Sequence, residues 1–262
     1  PSNLFWSGST DLSISSFLRI IPSLLISNRK LVKGINFKDF KNAGSPVTTV
    51  AALDSQKADE IFIIDIDCYN KKKSEPDFEL LKKIAEINST PITFGGGIKN
   101  IIMAKKAFSY GADKIFLNSI IFNDEKIIEK IALQYGNQAI VAGMNIINKN
   151  GKYFLMEDNS NTINPIEYAK KLQKLGAGEL KIIFVNLEGT KKGIDINYSK
   201  EINDNVKIPC IFEGGIGNLD QLDLFFRSGL MSIGLGSLIT FSDYNIIKIK
   251  HYLINKKFNA RV

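Results

Sequence analysis

Short apolar runs recur along this chain, each followed by a longer stretch whose apolar residues return every three or four positions. The runs Arg19–Leu25, Glu60–Asp67, Pro91–Gly95, Lys114–Asn118, Gln138–Asn145, Glu179–Val185, Pro209–Glu213 and Met231–Leu235 are rich in Ile, Val, Leu and Phe. They predict strands buried on both faces, as in a parallel sheet covered by helices. The stretches between them are amphipathic. In Asp77–Ile87, residues Phe78, Leu80, Leu81, Ile84 and Ile87 predict one apolar face, with Pro76 at its start. Asn123 is the expected cap of a helix over Glu125–Tyr135 that stops at Gly136. Asn164 with Pro165 opens Ile166–Leu175, which stops at Gly176. Further helices fit residues 46–57, 100–110, 195–203, 218–228 and 243–255. Strand and helix alternating eight times within about 240 residues predict a single α/β domain, a (β/α)8 TIM barrel over residues 18–262. Residues 1–17 are Ser-rich with no basic lead, and are expected to be an extension or expression remnant outside the fold.

Two segments exceed the simple pattern. Ile26–Ser45 is long, polar and basic, and reads as a loop after the first strand. Ile146–Lys149 and Lys152–Met156 flank Asn150-Gly151, the signature of a β-hairpin. Both follow strands, so both fall at the face where barrels build their sites.

The chain also repeats itself. Phe94-Gly95-Gly96-Gly97-Ile98 returns 118 residues later as Phe212-Glu213-Gly214-Gly215-Ile216, and Leu117-Asn118-Ser119 as Leu235-Gly236-Ser237. Gly111 and Gly229 keep the same offset. Matches at one spacing predict a two-fold half-barrel duplication. They also carry chemistry, because Gly, Asn and Ser at strand ends let backbone N–H groups converge on an anion. Gly96, Gly97, Asn118 and Ser119 are expected to form one phosphate site, and Gly214, Gly215, Gly236 and Ser237, with Gly189, a second. A small phosphorylated molecule with a phosphate at each end would fit both. The plainer alternative is glycine that only relieves tight turns.

Composition narrows the partners. The formal charge of +7 comes largely from short runs such as Lys71-Lys72-Lys73, Lys191-Lys192 and Lys256-Lys257. These read as solvated faces or as a field that attracts anionic ligands. Nucleic acid is not expected, since the charge is dispersed without interleaved aromatics. No run is long enough for a membrane span. Cys68 and Cys210 stand far apart, so no disulfide, metal site or cofactor is expected, and a cytoplasmic setting fits. His251 is the sole histidine and lies in a terminal helix-like stretch, which excludes histidine-based catalysis.

These residues resemble a family. Arg19-Ile20-Ile21-Pro22, Val32-Lys33-Gly34, the Gly95–Ile98 turn, Gly176-Ala177-Gly178-Glu179 and Glu188-Gly189-Thr190 are similar to signatures of HisF, the cyclase subunit of imidazole glycerol phosphate synthase. The resemblance runs from Leu18 to Phe241. It implies two phosphate sites and a HisH-like glutaminase docked at the bottom of the barrel, which sends ammonia through to the top. It also implies two aspartates, ending the first and fifth strands, that act as general acid and base. Here those positions hold Leu25 and Asn145, and neither side chain exchanges a proton usefully at neutral pH. Asp65 matches a family aspartate and, with Asp67, is a remaining carboxylate near the mouth: a weak catalytic candidate beside Asn145. Ile183 and Phe184 stand where the family has hydroxyl side chains.

The opposite end of the barrel keeps the family pattern. Arg19, Glu60, Lys114 and Glu179 match its ring of charges at the ammonia entrance, and Asp59 and Asp113 match partner-facing positions. Pro22-Ser23-Leu24-Leu25 and Asp65-Ile66-Asp67 are similar to HisF-like proteins of surface-polysaccharide loci, associated with acetamidino sugar modification. That branch implies ammonia delivery to a separate sugar amidotransferase. Three readings therefore stand: an ammonia-delivering subunit that has lost the cyclase pair, an authentic cyclase, and a noncatalytic phosphate-binding barrel.

Overall fold

Branched and aromatic residues fill the strands of the computed structural model, which describes residues 17–70, 73–240 and 242–261. The first half runs β1 (Arg19–Ser27), β2 (Lys30–Ile35), β3 (Lys38–Gly44), α1 (Pro46–Ser55), β4 (Ile61–Asp65), α2 (Asp67–Asn70), α3 (Phe78–Ala85), β5 (Ile92–Gly95), α4 (Ile101–Ser109), β6 (Lys114–Leu117), α5 (Ser119–Asn123) and α6 (Lys126–Tyr135). The second runs β7 (Ile140–Lys149), β8 (Lys152–Leu155), α7 (Pro165–Lys174), β9 (Glu179–Phe184), α8 (Ile196–Asp204), β10 (Cys210–Glu213), α9 (Leu219–Arg227), β11 (Ser232–Leu235), α10 (Ser237–Thr240) and α11 (Ile246–Asn255). Among the described residues, β1, β4, β5, β6, β7, β9, β10 and β11 pair in parallel in that order. Pairing of β11 with β1, from Arg19↔Ser232 to Pro22↔Leu235, closes the (β/α)8 barrel.

The duplication is geometric as well as textual. Strands β5 and β10, helices α4 and α9, and strands β6 and β11 have the same lengths and begin 118 residues apart. Asn100 and Asn218 cap the two helices alike, each accepting at 2.9 Å from the backbone N–H three residues on. Gly96, Gly97, Gly214 and Gly215 all have positive φ, which L side chains reach only under strain.

Several local expectations are corrected. Ile26–Ser45 is mostly an antiparallel extension in which β2 pairs with β1 and β3 with β2. The β3 strand is largely exposed and Lys-rich, so it lacks the alternation that marks a strand. Asn123 ends α5, and α6 starts from Glu125 without a side-chain cap. Ile87 lies beyond the end of α3 and is exposed. The fifth barrel strand starts at Ile140, after a 3-10 turn over Asn137–Ala139. The second ends at Asp65, and Asp67 begins α2. The expected hairpin forms, with Asn150 and Gly151 both at positive φ. The extension expected over residues 1–17 lies, apart from Phe17, outside the described residues. No helix among the described residues is long and apolar enough to cross a membrane.

Candidate functional site

Strand periodicity sets what faces the barrel axis. Ile21, Phe62, Phe116, Val141 and Ile211 form a cluster of their own, separate from the apolar layer under the helices. Counting in twos from them puts Arg19, Ser23 and Leu25 of β1 inward, with Glu60, Lys114, Asn118, Gly143, Asn145, Glu179, Lys181, Ile183 and Glu213. The axis is therefore layered from the N-terminal ends of the strands to the mouth.

The lowest layer is a closed charge cycle. Arg19 binds Glu179 at 3.0 Å and also Glu60, while Lys114 binds Glu60 at 2.9 Å and also Glu179. Thr93 Oγ1 donates to the remaining oxygen of Glu60. The four residues expected to ring an entrance thus come together, each cation shared by both anions. Burial opposes ionisation of Glu60, but Lys114 and Arg19 outweigh it and hold its carboxyl below the ordinary range. The two flanking acids divide. Asp113 is exposed, with one oxygen on the Ile92 N–H. Asp59 is not partner-facing: it accepts from the Ile20 N–H and pairs with buried Lys250 at 2.9 Å, so it is internal glue.

The middle layer holds charges that the sequence reading missed. Lys181 is fully buried, 2.7 Å from Glu213 and 2.8 Å from Ser23 Oγ, with its ammonium 3.9 Å from the centre of the Phe62 ring. Burial holds the Lys181 amine below its ordinary value. The Glu213 carboxyl is held low by Lys181 and Lys33 against the pull of burial. A second buried pair joins Lys33 of β2 to Glu188, after β9. Lysine inside Leu180-Lys181-Ile182, and glutamate where the first copy has Gly95, were the legible signals, because such residues are rarely buried unpaired. Together with Phe62 and Phe116 they fill the axis.

At the mouth, Leu25 and Asn145 occupy the ends of the first and fifth barrel strands. Leu25 is half-buried and faces the axis with no proton to offer. The Met156 N–H donates to Asn145 O at 2.7 Å, which brings the next residue, Glu157, alongside. Asn145 Nδ2 then donates to Glu157 Oε1 at 2.7 Å. Burial pushes the Glu157 carboxyl above the usual range. Asp65 fails as a mouth residue: one step off the inward register, it accepts at 2.9 Å from the N–H groups of Asp67 and Asp77. Its role is to pin α2 and the start of α3 to β4. Of the pair on the sixth barrel strand only Ile183 faces the axis; Phe184 points outward and meets Tyr153 edge-on at 5.9 Å.

The two expected anion sites are unequal. Gly189, Gly214, Gly215, Gly236 and Ser237 do line one cavity, but it holds only about 10 Å³, room for one water. Lys33 fills the rest: a Cβ on Gly236 would lie 2.2 Å from its Nζ. On the other side Asn118 and Ser119 start α5 on the strand beside Gly96 and Gly97, yet α2 covers the turn, since a Cβ on Gly97 would lie 2.5 Å from Cys68 Sγ. Burial pushes the Cys68 thiol up to about 11 and that of Cys210 to about 12, so neither serves as a nucleophile. A groove of about 610 Å³ lies off the axis between the β7–β8 hairpin and the starts of α7 and α8. It is lined by the stacked pair Tyr153 and Tyr198, whose rings are 3.9 Å apart. The charged and polar groups converge instead on the axis, which marks the site.

Known proteins match along the whole barrel. The family described as histidine biosynthesis protein matches residues 19–245. The chain is 35% identical over 248 residues to imidazole glycerol phosphate synthase subunit HisF of Chlorobium phaeobacteroides, covering 93% of this chain and 98% of the relative. It is 34% identical over 250 residues to the subunit of that name from Sulfurisphaera tokodaii, with the same coverage. A Campylobacter jejuni protein provisionally named imidazole glycerol phosphate synthase subunit hisF2 is 35% identical over 246 residues, again covering 93% and 98%.

Proposed function

The chain belongs to the HisF family of histidine-biosynthesis proteins, and on that premise we propose that it is the barrel subunit of a glutamine amidotransferase complex in which the cyclase reaction has been lost. A HisH-like glutaminase docks beneath the Arg19–Glu60–Lys114–Glu179 cycle and releases ammonia into the barrel. The ammonia leaves at the mouth for a separate sugar amidotransferase that makes an acetamidino group. One contrast carries this reading. The charge cycle is complete at the bottom, while Leu25 and Asn145 occupy both acid–base positions at the top. Opening the cycle lets ammonia in only if Lys181 and its aromatic neighbours also shift, so passage is gated at two levels.

A second reading, retained cyclase activity, is favoured by one observation: Glu157 puts a carboxylate beside Asn145. It leaves the first strand without a partner acid, because Leu25 has no substitute on the axis. Two measurements separate the readings. Purified protein given ammonium salt and the synthase substrate is expected to form no imidazole glycerol phosphate, and turnover like that of an ordinary HisF would overturn the proposal. A HisH-like glutaminase is expected to co-elute with the chain and to hydrolyse glutamine faster in its presence. Asp113→Asn, which keeps an acceptor for the Ile92 N–H and removes the charge, should weaken that association at least tenfold. No co-elution and no stimulation would leave the barrel without an ammonia source.

A further inference from the structure

The two halves of the mouth differ by a matched exchange of side-chain size. On β5 and β6, Gly95 pairs in register with Phe116; 118 residues later, on β10 and β11, Glu213 pairs with Gly234. In the first half glycine admits the ring, since a Cβ on Gly95 would lie 2.7 Å from the Phe116 Cβ. In the second it admits the acid, since a Cβ on Gly234 would lie 2.7 Å from Glu213 Oε2. Asn118 corresponds in the same way to Gly236. A Cβ there would run into the Lys33 amine and lie 3.5 Å from Glu188 Oε1. The side chains missing from β11 are thus replaced in space by charged ones from β2, β10 and the segment after β9.

We propose that Lys33, Lys181, Glu188 and Glu213 determine specificity: they fill and neutralise the second half of the mouth, so that it refuses ligands with an anionic group at Gly214, Gly215, Gly236 and Ser237. Lys33 pairs with Glu188, and Lys181 lies 2.7 Å from Glu213. All four residues are buried. Two cations and two anions cancel, and a buried charge is tolerated only with its partner in place. A phosphate entering here would have to expel one carboxylate and would still face the other. The extension that carries Lys33 is tied down as well, by the Asn36 N–H donating to Glu188 O at 2.9 Å. The space left beside the glycine turns is about 10 Å³, too little for a phosphate. A small molecule with a phosphate at each end, which the repeat alone suggests, is therefore the class this barrel rejects. The inference does not rest on ammonia delivery, since it concerns only what the second half of the mouth can hold.

The test uses the full chain, uniformly labelled with nitrogen-15, at pH 7 and constant ionic strength. The backbone amide resonances of Gly214, Gly215, Gly236 and Ser237 are followed during titration with inorganic phosphate. No saturable shift is expected in the wild type. Glu188→Ala removes one anion and opens room beside Lys33, and should gain a saturable shift at these amides, with an affinity at least tenfold above the wild type's. Lys33→Ala with Glu188→Ala removes the pair together and leaves no charge stranded. It serves if Glu188→Ala does not fold, and should gain at least threefold. A saturable shift at these amides in the wild type, or folded variants that respond no more than the wild type, would overturn the proposal. Glutaminase co-elution is read separately, so either result here leaves the docking prediction standing.

Discussion

Single residues decide what chemistry this barrel performs. In the proposed reading Leu25 and Asn145 replace the two residues that would exchange protons, and the structure turns Asp65 away from the axis to accept backbone N–H groups. Restoring both acids is therefore not expected to restore the reaction. Leu25→Asp with Asn145→Asp should show no more than weak cyclase turnover, because Ile183 still lines the wall and the carboxylate introduced on the fifth barrel strand would share a proton with Glu157. Turnover near that of an ordinary HisF in this double variant would show the wall to be irrelevant. Lys181 is the opposite case, a charge kept where nothing reacts. Lys181→Met leaves Glu213 buried without its partner and should cost about 3–5 kcal/mol in chemical denaturation. Adding Glu213→Met should recover most of that loss, since an apolar pair of similar volume removes both charges from the core.

Elements show how far the pattern of apolar positions carries. The barrel strands and most helices were legible because burial on both faces or on one stripe leaves a periodic trace. The β3 strand was not, because an exposed strand paired along one edge has no buried face to record. A helix cap was legible where Asn precedes a run opened by Pro, as at Asn164. Asn123 misled because the short helix α5, which it ends, intervenes. The repeated caps give a direct test of the duplication. Asn100→Ala and Asn218→Ala should each cost about 1 kcal/mol in chemical denaturation, because each loses one N-cap bond of the same geometry. Costs that differ severalfold would mean that the two halves no longer carry their helices alike.

At the scale of the whole molecule, the charge cycle at the bottom ties three parts of the closed barrel, β1, the start of β4 and the β6–β9 side, into one ring. Its acid sensitivity follows from Glu60. A carboxyl held below its ordinary value in the fold contributes stability that is complete above the titration range of an unfolded glutamate, about pH 4.3. That contribution is lost as the pH falls through the lower folded value. Acid denaturation should therefore begin below about pH 4.3, and Glu60→Gln should be less stable at pH 7 and lose less on acidification. A Glu60→Gln curve parallel to wild type down to pH 3 would show the cycle to contribute nothing.

The sequence alone determined the barrel and its duplication, because both are recorded in the order of residue types along the chain. Tertiary structure decided the rest. Strand register, which flips a side chain between axis and helix layer at every step, moved Asp65 and Phe184 out of the site and Lys181 into it. Chain closure brought together Arg19, Glu60, Lys114 and Glu179, which lie on four different strands or strand starts, and the return of the hairpin set Glu157 against Asn145. Those contacts join residues 12 to 160 positions apart. No local periodicity specifies them, since the energy that fixes them exists only once the barrel has closed.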